Sequence, residues 1–113
     1  MNSPPLSIGS VTLGGPLPLF ILGPCVIESE DFVWRMARAL QTASADAGVP
    51  FVFKASYDKA NRTSGKSFRG PGVREGCAIL AGIGMKLGVP VTTDVHSPEE
   101  AELAAESIDI LQI

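Results

Sequence analysis

Gly48-Val49-Pro50-Phe51-Val52-Phe53-Lys54 returns forty residues on as Gly88-Val89-Pro90-Val91-Thr92-Thr93-Asp94. In both copies a glycine ends a helical pattern and a proline forbids its continuation. A short strand then finishes on a charged residue. Between the copies, Val73 to Leu87 reads as a helix, with Ile79, Ile83 and Leu87 four apart and Leu80 beside them. Gly76, Gly82 and Gly84 weaken that helix, which close packing against strands would explain. Upstream, Leu19 to Leu22 is an apolar run closed by Gly23-Pro24, as expected of a strand covered on both faces. Ser29 caps a helix with acids in its first turn, whose apolar face is Phe32, Met36, Ala39, Leu40, Ala43 and Ala47. Ser97-Pro98-Glu99-Glu100 opens another, with Glu100 placed to complete a capping box. Ile108 to Ile113 is a fourth strand. Leu6, Ile8, Val11 and Leu13 around Gly9-Ser10 can form a small hairpin within an N-terminal extension, residues 1–18.

Strands alternating with helices imply an α/β fold with parallel pairing and right-handed crossovers. Cys25 then follows the first strand, Lys54 ends the second, and Asp94 and His96 follow the third. Parallel strands place all these ends at one edge of the sheet. A (β/α)8 TIM barrel keeps its active site there, and a doubly wound sheet also binds ligands at strand C-termini. A complete barrel needs roughly 250 residues, so residues 19–113 are expected to be the first half of one, about four βα units.

Charge singles out one connection. From Lys54 to Arg74 the chain holds six of its nine bases against one acid, Asp58; the remainder holds three bases and eleven acids. A cationic loop in a chain of net charge −3 and pI near 5.0 points away from nucleic acid, which needs a spread basic face. Asn61, Arg62, Thr63 and Ser64 set side by side donors that suit phosphate or carboxylate, and nearby glycines let backbone N–H groups approach a ligand. A solvated surface loop is the plainer alternative. A loop this long without structure of its own is uncommon unless functional, which favours a pocket for small anions.

Two cysteines are too few for a disulfide framework, so a reducing cytoplasm is the expectation. The apolar stretch from Leu17 to Ile27 is too short to span a membrane and lacks a basic leader region. Cys77, Met36 and Met85 read as core residues and Trp34 as a packing or interface residue.

Five motifs in order, GPCVIES (Gly23 to Ser29), FKASYDKANRTS (Phe53 to Ser64), SFRGPG (Ser67 to Gly72), TDVH (Thr93 to His96) and DILQI (Asp109 to Ile113), resemble the 3-deoxy-D-manno-octulosonate 8-phosphate synthase family from about Leu19 onward. The resemblance implies a cytoplasmic, homotetrameric (β/α)8 barrel. Such an enzyme condenses phosphoenolpyruvate with D-arabinose 5-phosphate and water for lipopolysaccharide synthesis. It implies that Lys54 and Lys59 engage phosphoenolpyruvate, that Asn61, Arg62, Thr63 and Ser64 hold the sugar phosphate, and that Arg69 belongs to the same substrate-binding loop. Lys59, Asp94 and His96 are its catalytic candidates. For His96 a structural role beside Asp94 or a backbone carbonyl stays open. Cysteine at position 25, where a metal-independent branch has asparagine, implies a divalent metal (Zn, Fe or Mn) with Cys25 as one ligand. The remaining ligands belong to later strands, so the ion and the activity are expected to be missing from this piece. The sister enzyme making 3-deoxy-D-arabino-heptulosonate 7-phosphate resembles Lys-Pro-Arg-Thr where this chain has Lys59-Ala60-Asn61-Arg62, which makes Asn61 the discriminating residue. A non-catalytic phosphate-binding module is the alternative of another class.

Overall fold

A computed structural model of the chain describes residues 3–59 and 69–113. Two short strands, β1 (Leu6–Ile8) and β2 (Val11–Leu13), form an antiparallel hairpin turning on Gly9, whose φ of 56° only glycine adopts freely. Then follow β3 (Phe20–Leu22), α1 (Glu30–Ala47), β4 (Phe51–Lys54), α2 (Val73–Leu87), β5 (Val91–Asp94), α3 (Pro98–Ala105) and β6 (Ile110–Gln112). The last four strands make one parallel sheet in chain order, β3-β4-β5-β6.

The repeated Gly-Val-Pro segments set the register. Gly48 and Gly88 end α1 and α2 at φ 71° and 68°. The carbonyls of the two prolines accept N–H groups from the preceding strand, Phe20 to Pro50 at 3.3 Å and Phe53 to Pro90 at 2.9 Å. Proline lacks an N–H, yet its carbonyl still serves the ladder.

Alternation along the strands assigns the two faces of the sheet. Phe51, Phe53 and Val91 join Val33 and Ala37 of α1, Leu80 and Ile83 of α2 and Ala104 of α3 in a single core. The helices therefore cover one face. Lys54, Thr92 and Asp94 occupy the alternate positions, on the other face. Consecutive strand order with helices on one side is consistent with part of a barrel wall, whereas a doubly wound sheet carries helices on both sides.

Three expectations need correcting. The run ending in Leu22 is not covered on both faces, since Phe20 is 42% and Ile21 57% exposed. Among the described residues β3 pairs on one side only, with β4, and Ile21 lies in register with Val52 on the face that carries no helix. The buried face of α1 is Val33, Ala37 and Ser44, rotated from the series of large apolar side chains. Small residues let the helix lie close on the sheet, and the Ser44 hydroxyl is satisfied by the Leu40 carbonyl at 2.8 Å. Met85 is 87% exposed rather than core, while Cys77 is buried as expected. The glycines of α2 are explained in part. A Cβ on Gly84 would stand 3.1 Å from Val91 of β5, but one on Gly82 would make only ordinary contact with Trp34. No helix among the described residues is long and apolar enough to cross a membrane.

Candidate active site

The C-terminal ends of β3, β4 and β5 deliver the chemistry-bearing residues to one place. Cys25, Lys54, Ser56, Asp58, Lys59, Asp94 and His96 line a concavity of about 530 Å³. Lys54 and Asp94 are the last residues of their strands. Cys25 is exposed, on the connection after β3 rather than in the core. That connection sits close on β4: a Cβ on Gly23 would overlap the Lys54 carbonyl oxygen, at 1.5 Å, so only glycine fits. A bond of 3.0 Å from the Ile27 N–H to the Ser56 carbonyl ties the two connections together.

Within the rim, His96 Nε2 stands 3.4 Å from Asp94 Oδ2. The other carboxylate oxygen, Oδ1, is buried without a hydrogen-bond partner among the described residues. His96 lines the concavity and touches Asp94. Ser56 Oγ donates to the Asp58 carbonyl at 2.8 Å, shaping the start of the cationic loop.

Arg69 behaves differently from the lysines. Its guanidinium grips Asp58 with two bonds, Nε to Oδ1 at 3.0 Å and Nη2 to Oδ2 at 2.7 Å, and Asp58 raises its pKa further. Its carbonyl accepts the Lys59 N–H. Arg69 closes the neck of the loop, while Lys54 and Lys59 line the concavity. Asn61, Arg62, Thr63 and Ser64 lie outside the described residues.

Sequence reasoning missed Tyr57 and Glu100. Tyr57 is the chain's single tyrosine, it is buried, and its hydroxyl donates to Glu100 Oε1. Burial, then the Glu100 bond and charge, push the phenol well above its ordinary pKa. Glu100 makes half of a capping box: its N–H reaches Ser97 Oγ at 3.1 Å, but its carboxylate turns to Tyr57. A lone tyrosine within a polar, cationic stretch was the available signal.

A second concavity, about 590 Å³, lies at the opposite end of the strands, between the hairpin turn and the ends of α2 and α3. Its charged lining residues are the acids Glu106 and Asp109, with no cation, which suits anionic ligands poorly. For a metal, Cys25 offers one soft donor in an accessible position. The described residues contain no group of three His, Cys, Asp or Glu able to hold an ion, and a catalytic site normally needs about three protein ligands. They do not by themselves make a metal centre.

Residues 4–113 match the family model described as the DAHP synthetase I family. The chain is 50% identical to a 2-dehydro-3-deoxyphosphooctonate aldolase of Koribacter versatilis, over 96% of this chain and 39% of the relative. It is 53% and 52% identical to proteins of the same name from Trichlorobacter lovleyi and Geobacter sulfurreducens, over 96% of this chain and 40% of each relative. The chain thus spans about 40% of the length of the curated relatives it matches.

Proposed function

The chain belongs to the DAHP synthetase I family, and from that premise we propose that it forms part of a 3-deoxy-D-manno-octulosonate 8-phosphate synthase. The full-length protein would condense phosphoenolpyruvate with D-arabinose 5-phosphate and water, releasing phosphate and supplying lipopolysaccharide synthesis. The observation that carries this reading is the concavity itself, in which two lysines, an Asp–His contact and a thiol converge from three strand ends.

The chemistry asks for what this rim supplies. Carbon–carbon bond formation joins the methylene of phosphoenolpyruvate to the sugar aldehyde, water adds at the neighbouring carbon, and phosphate leaves. Both substrates are anions, so bringing them together requires preorganised cations. Lys54, fixed at the end of β4, and Lys59, fixed by its backbone bond to Arg69, would hold phosphoenolpyruvate. Asn61, Arg62, Thr63 and Ser64 would hold the sugar phosphate. Asp94 would orient sugar hydroxyls or accept a proton, with His96 beside it. Cys25 would be one ligand of a divalent Zn, Fe or Mn ion, completed by residues outside this chain, and such an ion would supply Lewis-acid chemistry when bound.

Closure of the sheet into a (β/α)8 barrel belongs to the same proposal, supported by consecutive strand order and helices on one face. A cytoplasmic homotetramer is the assembly proposed with it. The deciding experiment offers the full-length protein phosphoenolpyruvate with either D-arabinose 5-phosphate or D-erythrose 4-phosphate. Turnover is expected with the five-carbon sugar. Turnover with the four-carbon sugar alone would assign the sister activity, and binding of phosphate without turnover of either would indicate a non-catalytic module.

A further inference from the structure

We propose that Tyr57 and Glu100 form a clamp that holds the two walls of the concavity in register, making Tyr57 a positioning residue for Lys59 and His96. The proposal deepens the function above and rests on it for the meaning of the concavity.

Tyr57 stands between Ser56 and Asp58, both of which line the concavity, yet its own side chain is directed away into the core. Three elements close upon it. Its carbonyl accepts the Gly72 N–H at 3.1 Å, at the exit of the cationic loop. A Cβ on Gly70, at φ 117°, would overlap that carbonyl at 2.3 Å, and one on Gly76 of α2 would overlap the tyrosine Cβ at 2.4 Å. The hydroxyl crosses to Glu100 in the first turn of α3. The ring meets the His96 imidazole edge-on, with centroids 5.6 Å apart and planes at 63°.

One side chain therefore joins the β4–α2 connection, which carries Lys59, to the β5–α3 connection, which carries His96. Packing alone asks only for the ring. A hydroxyl aimed at a carboxylate adds direction, and direction fixes where the two connections stand relative to each other. Small misplacements of catalytic groups lower turnover steeply.

The test uses the full-length protein and three variants, Tyr57→Phe, Glu100→Ala and Glu100→Gln. Tyr57→Phe keeps the ring and loses the hydroxyl; Glu100→Gln keeps an acceptor. With phosphoenolpyruvate and D-arabinose 5-phosphate, Tyr57→Phe and Glu100→Ala are expected to lose about tenfold or more in kcat. Their KM values should stay within about threefold, and Glu100→Gln should keep kcat within about threefold of wild type. Hydrogen exchange supplies a readout without substrate: backbone amides of residues 58, 59, 69, 70, 72 and 95–97 should exchange about tenfold faster in Tyr57→Phe. Unchanged kcat and unchanged exchange in Tyr57→Phe would overturn the clamp. A fall in melting temperature with kcat per folded molecule intact would also overturn it, leaving a purely structural bond. If wild type turns over neither sugar, the proposed function falls, and exchange alone decides the clamp: faster exchange at both connections supports it, and no change refutes it.

Discussion

At the scale of single residues, the basic side chains divide into those that line the concavity and one held in an ion pair. Lys54 and Lys59 line the concavity, whereas Arg69 is held by Asp58 in a two-pronged pair. A planar fork matched to a carboxylate is a good lock, and here it closes a loop neck. Cys25 is exposed where a merely structural thiol would be buried. A chelator should abolish turnover of the full-length protein, and Cys25→Ala should do the same with loss of bound metal by elemental analysis. Turnover indifferent to the chelator would place the protein in the metal-free branch. The buried groups give a pH prediction of definite sign. Burial raises the pKa values of both Tyr57 and Cys77, with Glu100 adding to each. Groups raised in the folded state stabilise it below their ordinary values, here 10.0 and 9.0, and lose that contribution as pH climbs past them. Denaturant unfolding midpoints should therefore fall in alkali, beginning near pH 9.0, and a Cys77→Ala variant should show a later onset.

Among the elements, those with chemical punctuation were legible and those defined by packing were less so. Ser29 and Ser97 cap their helices as their hydroxyl chemistry requires, each accepting an N–H three residues on at 3.1 Å. Replacing Ser29 with alanine should cost about 1 kcal/mol of stability, measured by urea unfolding. Turnover in the full-length protein should be unaffected, because α1 carries none of the concavity's lining residues. The buried face of α1 escaped prediction because large apolar side chains were counted as the core. The sheet instead takes the small ones, Val33, Ala37 and Ser44, while Leu40 and Trp34 pack from its flanks. Glu100 was misread for a related reason. Its position suited a capping box, but a buried phenol forty-three residues away in sequence is the partner it meets.

For the molecule as a whole, the sheet's outer strands matter most. Both β3 and β6 pair on one side only among the described residues, and Ile21 presents an apolar side chain on the helix-free face. Unpaired strand edges beside exposed apolar surface recruit further chains. The 113-residue chain made alone should self-associate and lack activity, as judged by light scattering and turnover assays. A monodisperse, active monomer would contradict this. What the sequence determined by itself is local or repetitive: the caps, the Gly-Val-Pro stops, the α/β alternation and hence the arrival of Cys25, Lys54, Asp94 and His96 at one rim. Parallel strands force that convergence, because every strand then ends on the same side. Only the tertiary structure decided which face the helices cover, which cation is spent on Asp58, and that Tyr57 bridges two connections. Those outcomes depend on contacts between residues far apart in the chain, and no pattern of neighbours in sequence encodes the distances at which such residues come to rest.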